Sequence, residues 1–254
     1  MTNPLRIARQ NLIDLATVTA STAVSSLPAS NLQTEDIGEL WRATTGTEWL
    51  LADLGSTKTV GITALVESSA VAGDSMQIRV STADATGASG DAYDSGSLPV
   101  TVDPATGLLV HPIEPAVSGR YLRIDLIQSA TVEAGRWMAG PVFSPSRTFS
   151  FGWQPLSEDP SRHIESLGQA TLIDAKRTRE GVQFTLNGLT QTEADEIREI
   201  NRLNGRKNDL LICRDVTHSN PGLVSIWGLM ARTVTYPQTN PDFYEASFEI
   251  WTRL

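Results

Sequence analysis

The 254-residue sequence predicts a mostly β protein of two β-sandwich domains, the second with one packed α-helix. Three observations carry this prediction. Short alternating or β-branched runs are separated, about every ten residues, by clusters of Gly, Pro, Asn, Asp and Ser. Charged residues are only 19% of the chain, and the polar remainder is Thr, Ser, Gly and Asn, which suits pleated surfaces and turns. One segment alone combines a helix start signal with helical periodicity.

Five runs of the first domain, residues 1–140, read as strands. Thr17-Val18-Thr19-Ala20 is short and β-branched, and Trp49-Leu50-Leu51-Ala52-Asp53-Leu54 is apolar and stops at Gly55. Thr59 to Val66 alternates, as does Met76 to Ser81, with Met76, Ile78 and Val80 inward. Tyr121 to Leu126 places Leu122, Ile124 and Leu126 on one face. Thr82 to Gly96 reads as a long exposed loop. Gly140-Pro141 to Pro145-Ser146 punctuates the chain, so the second domain spans residues 141–254.

In the second domain Thr190-Gln191-Thr192-Glu193 fits a capping box, in which hydroxyl and carboxylate each satisfy an orphan N–H. Ala194, Ile197, Ile200 and Leu203 continue as one apolar stripe, and Asn204-Gly205 supplies a left-handed stop. The predicted helix runs over 191–204. Strands are predicted at Gly181–Leu186, Asp209–Ile212, Leu223–Trp227 and Tyr244–Trp251, the last with Tyr244, Ala246, Phe248 and Ile250 on one face.

Composition excludes several classes of function. A net charge of −9 opposes whole-surface attraction to nucleic acid or anionic lipid. Residues 1–140 hold 8 basic and 15 acidic residues, and residues 141–254 hold 12 and 14, so the acidic excess lies in the first domain. Seventeen of the 20 basic residues are Arg, which favours planar, multi-donor interface contacts. The single Cys213 allows no intrachain disulfide and sits in the apolar run Leu210-Leu211-Ile212, where it reads as a small buried hydrophobe. No apolar stretch reaches the length of a membrane span, and the N-terminal residues lack a signal-peptide core. Synthesis in a cytoplasm without secretion is therefore expected.

A catalytic constellation is not found. His111, His163 and His218 lie in three different regions, and no nucleophile elbow, P-loop or dinucleotide fingerprint occurs. The expectation is a protein that is not an enzyme and holds no cofactor. Asp84, Asp91, Asp94 and Asp103 gather around the long loop. They form either a solvated acidic loop or a structural Ca²⁺ site, since loop carboxylates are usual Ca²⁺ ligands. Trp41 and Trp49 are either core residues or a platform for stacking a sugar ring. Trp41 is expected in the core, and Trp49, Tyr93, Asp91 and Asp94 are the candidate glycan contacts. On the helix, Arg198, Arg202 and Arg206 recur every four positions beside Glu196 and Glu199. They form either a solvated stripe or an inter-subunit contact.

The order Asn11-Leu12-Ile13-Asp14, Leu27-Pro28-Ala29-Ser30-Asn31-Leu32, Trp41-Arg42, Trp49 and Asp53-Leu54-Gly55 resembles the discoidin-like, galactose-binding-like jelly-roll sandwich. Gln77–Ser81 and Arg120–Ile124 fit the same pattern. The resemblance covers residues 10–140 and lacks the paired cysteines of extracellular members. The junction Glu133-Ala134-Gly135-Arg136-Trp137-Met138-Ala139-Gly140-Pro141, leading to Pro145-Ser146-Arg147-Thr148-Phe149-Ser150-Phe151-Gly152-Trp153, is similar to minor tail proteins of long-tailed bacteriophages and related gene transfer agents. The remainder resembles the hub domain of distal tail proteins.

That second resemblance implies a structural virion protein of the tail tip. It implies a homo-oligomeric ring, a hexamer, that continues the tail tube and touches the tube protein and other hub proteins. The C-terminal domains would surround the axis. The more acidic N-terminal sandwiches would lie outside, placed to meet host-surface polysaccharide. Carbohydrate-binding host attachment is the alternative function.

Overall fold

A computed structural model describes residues 4–148, 152–165 and 171–253. Phe149, Ser150 and Phe151 of the junction passage lie outside the described residues. The fold is mostly β with one α-helix. Two compact units emerge: Pro4–Ser144 with Ile212–Ser225, and Pro145–Leu211 with Ile226–Leu254.

The N-terminal unit contains β1 (Arg6–Ala8), β2 (Thr17–Ala20), β3 (Trp41–Arg42), β4 (Thr47–Val66), β5 (Ser75–Ser81) and β6 (Tyr93–Asp94). It continues with β7 (Leu98–Pro99), β8 (Val102–Asp103), β9 (Leu108–Ile127), β10 (Glu133–Ala134), β11 (Arg136–Gly140) and β12 (Val142–Phe143). The two 20-residue strands β4 and β9 pair antiparallel along most of their length, with register shifts between Asp53 and Lys58 and between Val60 and Ile62. Their first-paired stretch is flanked by β2 and β5, and the other by β11 and β8. One apolar core joins both stretches: Leu50, Ala52, Ile78, Leu122 and Ile124 from one, and Leu65, Leu109, Ile113 and Trp137 from the other. In the first stretch period-2 alternation is the reason, because each strand turns every second side chain to the same interior. In the second, Val60–Val66 and Arg136–Gly140 are buried at every position, so the run 59–66 is covered on both faces and is not the half-buried strand its alternation suggests.

Several expectations change here. The runs 49–54 and 59–66 are one strand, since Gly55 takes φ +74 within a continuing ladder instead of ending it. The strand at Tyr121–Leu126 extends back to Leu108. Thr82–Gly96 is not wholly exposed: it carries β6, which pairs with β5 through Val80↔Tyr93 and Arg79↔Asp94.

Residues 212–225 were read as part of the second domain, with a strand over Leu223–Trp227. Instead Pro221–Val224 forms a 3-10 turn, capped by the Asn220 side chain accepting from Gly222 N–H, and the strand begins at Ser225. Pro at the first helical position and the Asn cap together favour that turn over an extended start. Asn220 Nδ2 donates to the Val102 carbonyl at 2.9 Å, and Val216 N–H to the Pro4 carbonyl at 3.1 Å. At about 1 kcal/mol net per hydrogen bond, the segment contributes roughly 2 kcal/mol to the N-terminal unit. A fragment ending at Ser144 is therefore expected to melt about 5 °C below the same unit in the full chain. Equal melting in calorimetry would show that the segment adds nothing.

The C-terminal unit is built on β13 (Gln154–Glu158), β14 (Arg162–Glu165), β15 (Thr171–Asp174), β16 (Arg179–Leu189), α1 (Gln191–Leu203), the first half of β17 (Leu210–Cys213), β18 (Ser225–Met230) from Ile226 onward, β19 (Gln238–Asn240) and β20 (Phe243–Thr252). The strand order β18-β20-β16-β13 is antiparallel, β19 pairs with β20, and β14 with β15 form a separate hairpin. Val182↔Ile250, Phe184↔Phe248 and Leu186↔Ala246 bring six buried side chains onto one face. Phe184 and Phe248 stack at 5.0 Å, and Trp153 stacks on Phe184 at 5.2 Å.

Helix α1 begins as its sequence dictates. Thr190 and Glu193 form the reciprocal capping box, and Ala194, Ile197 and Ile200 are buried. Leu203 is only half-buried, while Glu193 is buried, and Gly205 rather than Asn204 adopts the left-handed conformation. Burial alone would raise the Glu193 pKa, but N–H and hydroxyl donors of Ser146 and Thr190 outweigh it and hold the carboxyl below its usual value. A carboxyl depressed in the folded state stabilises above its unfolded pKa, and that share is lost as pH falls through the folded value. Acidification below 4.5 is thus expected to lower the protection factors (exchange corrected for its intrinsic pH dependence) in the first turn of α1, with Glu193→Gln flattening the response. Protection factors that do not change with pH in the parent chain would contradict this.

Candidate functional site

The candidate ligand surface is the outer face of the N-terminal sheet. Leu50, Ala52, Ile78, Val80, Leu122, Ile124 and Leu126 point inward, so the residues between them point out. The strand register then sets two cross-strand rows. Trp49, Asp125 and Gln77 stand side by side, and next to them Leu51, Arg123, Arg79 and Asp94.

These side chains are bonded into a ladder. Arg79 and Arg123 share the Asp125 carboxylate, at 2.8 and 2.7 Å. Gln77 Nε2 donates to Asp94 at 2.7 Å, and the Arg123 guanidinium lies 4.9 Å from the Trp49 ring centroid. The loop after β5 folds back over the same face. Arg79 donates to the Ala88 carbonyl at 2.7 Å and Arg123 to the Thr86 carbonyl at 3.0 Å. Gly87 is required there. It has φ +65, and a Cβ would lie 2.8 Å from the Leu51 side chain.

The four candidate glycan residues do not share one surface. Trp49 is half-buried on the outer face. Asp94 is exposed on the same face but three strands away on β6, held by Gln77 and by Gly96 N–H, with its pKa lowered first by Gln77. Asp91 turns to the Thr82 hydroxyl and N–H and to Ser89, which lower its pKa. Tyr93, one residue from Asp94 in a strand, faces the other way and packs against the core. Its hydroxyl shares a 2.8 Å hydrogen bond with His111 Nε2, the donor depending on the imidazole tautomer. Burial pushes His111 down to about 4 and raises the Tyr93 phenol.

The acidic loop is explained by its own turns. Asp84 accepts from the N–H groups of Thr86 and Ser89 and from the Thr86 hydroxyl, which bring its pKa to about 2. Asp103 accepts from Ala105 N–H and the Thr106 hydroxyl. Among the described residues no three His, Cys, Asp or Glu side chains are gathered as metal ligands.

Trp41 is fully buried, its indole N–H donating to the Thr22 carbonyl at 3.2 Å. Nearby Glu48 is buried and accepts from the hydroxyls of Ser21, Thr22 and Thr45 and from Thr45 N–H. Burial would raise its pKa, but these donors together lower it. Cys213 is buried, and burial pushes its thiol up. His218 bonds to the backbone of Asn220, and His163 lies on the β14 hairpin. On α1, Arg198 pairs with Asp195 and Arg202 with Glu199, each three residues back, and Arg206 is exposed.

The sequence reading missed Gln77, Arg79, Arg123 and Asp125. A signal for them was available, since in alternating strands the polar partners of inward residues must share the opposite face.

No protein-family model and no curated protein matches the sequence. Solved structures similar to part of the chain include the family 32 CBM from C. perfringens NanJ in complex with galactose. It is 12% identical, covers 52% of this chain and 98% of its own, and gives a TM-score of 0.42. A Streptococcus pneumoniae fucose binding module is 10% identical over 52% of this chain and 94% of its own, with TM-score 0.41. Chitosan-binding module 1 from a Paenibacillus chitosanase/glucanase is 21% identical over 52% of this chain and 99% of its own, with TM-score 0.40.

Proposed function

We propose that this chain is a structural, non-enzymatic protein of the tail tip of a long-tailed bacteriophage or related gene transfer agent. It assembles as a homo-hexameric ring with the N-terminal sandwich at the periphery. The observation that carries this reading is the junction passage from Glu133 to Trp153. Its described residues have scaffolding roles. Arg136 is buried and donates to the carbonyls of Gln33 and Thr34 while pairing with Asp14 at 2.9 Å. Trp137 donates to the Thr63 hydroxyl at 3.0 Å, and Asn11 bridges the Trp137 carbonyl and Ala139 N–H. The passage thus ties the Asn11–Asp14 segment to β11, which pairs with β4, and this supports a structural role for it. A reconstruction of the tail tip tests the reading. Six copies around the axis with the sandwiches outside are expected. One copy on the axis, or sandwiches innermost, would reject it.

A second reading, attachment to host-surface glycans, is favoured by Trp49 standing beside Gln77 and Asp125 on one sheet face. Aromatic rings pack the apolar faces of sugars, and planar amide and carboxylate groups bond hydroxyls. A glycan array with the parent chain and Trp49→Ala tests it: loss of a specific signal is expected. A parent chain that retains no glycan would remove this reading and leave the first standing.

A further inference from the structure

The sequence contains two Asn-Gly pairs, Asn187-Gly188 and Asn204-Gly205, and the fold treats them oppositely. We propose that Asn187 is a site of spontaneous, self-catalysed deamidation in the folded protein, whereas Asn204 is protected.

Asn187 is exposed near the end of β16. The β16–β20 register shifts there, from Asn187↔Glu245 to Leu189↔Tyr244, so Gly188 stands between two register pairs as the extra residue of a bulge. Gly188 has φ +70 and no Cβ, and the Arg147 guanidinium lies against it on the side where a Cβ would stand. The chemistry needs only these two residues. The Gly188 backbone nitrogen attacks the Asn187 side-chain carbonyl carbon, and a new C–N bond forms. The bond to the side-chain nitrogen breaks, and ammonia leaves with the proton from the Gly188 N–H. Water then opens the cyclic imide at either carbonyl, giving aspartate or isoaspartate.

Asn204 has the same neighbour but a different setting. It is 2% exposed, caps α1, and its side-chain nitrogen donates to the Asp209 carbonyl at 2.7 Å. Its own carbonyl accepts from the N–H groups of Lys207 and Asn208. Cyclisation there must first break a buried hydrogen bond and an ordered turn.

The product at Asn187 also has a structural consequence. A carboxylate would stand directly across from Glu245, and like charges opposite each other on paired strands are unfavourable. Isoaspartate would further add a backbone methylene at the bulge.

The test incubates the full chain in mildly alkaline buffer and maps peptides by mass, with isoaspartate detected enzymatically. Asn187 is expected to convert while Asn204 stays intact. In denaturant both are expected to convert at comparable rates. Asn187→Gln, whose amide would need a slower six-membered closure, should remove the modification from β16 and keep the melting temperature that the parent loses on ageing. Folded-state conversion of Asn204 as fast as Asn187, or no conversion of Asn187 in the folded chain, overturns the proposal.

Discussion

Trp41→Ala is expected to destabilise the N-terminal unit by about 3–5 kcal/mol, the range for deleting a large aromatic side chain from a packed core. Two terms contribute. The indole is fully buried within the cluster that includes Leu32, Leu50, Val132 and Ala134, and the remaining cavity can collapse only partly. Its N–H bond to the Thr22 carbonyl is also lost, and Thr22 belongs to the donor set around buried Glu48. Trp49→Ala is the matched control. Trp49 is half-buried on the outer face, so its removal should cost about 1–2 kcal/mol. Denaturant unfolding of the two variants measures the difference. Equal losses would mean that the two tryptophans are not divided between core and surface.

That division was within reach of the sequence. In a strand of period 2, Leu50, Ala52 and Leu54 share one face, and Trp49 must take the other with Leu51 and Asp53. The sequence assigns Trp41 to the core and Trp49 to a surface, but a run that is mostly apolar does not reveal the polar partners beside Trp49. Met76–Ser81, Tyr121–Leu126 and Tyr244–Trp251 were legible because their alternation is strict, and each is a strand with the expected inward residues buried, except Tyr244, which is only half-buried. The start of α1 was legible because a capping box is a local device that needs no tertiary partner.

Other features depend on partners far along the chain. Gly55-Ser56-Thr57-Lys58 reads locally as a turn, yet β4 continues through it because β9 supplies a ladder on both sides of the irregularity. Tyr93 and His111 are 18 residues apart and meet only through the folding of β6 and β9. Arg123 and Asp125 show their role only when Arg79 is brought beside them by the β5–β9 register. Residues 212–225 belong to the N-terminal unit through the contacts of Asn220 and Val216, which no local composition announces. The candidate surface was therefore half legible: its aromatic residue was singled out, but the charged ladder beside it was not.

Ile200→Asp is expected to abolish the folded C-terminal unit. Ile200 is fully buried, and its helix packs against β16 and β20, whose Phe184, Phe248 and Ile250 are also buried. Removing the apolar side chain alone forfeits about 1.5–3 kcal/mol. The substitution also places a carboxyl among apolar neighbours, and an unpaired buried charge costs more than the lost contacts. The sum exceeds about 4 kcal/mol, a large part of the stability of any small unit. Ile200→Val removes one methylene and should cost about 0.5–1.5 kcal/mol, which separates burial from charge. Hydrogen exchange resolved along the chain is the measurement: β16, α1 and β20 should lose protection together in Ile200→Asp and keep it in Ile200→Val. Protection of β16 and β20 that survives the Asp substitution would show that the α1 face carrying Ile197 and Ile200 does not hold this sheet, and the packing argument for the unit would fail.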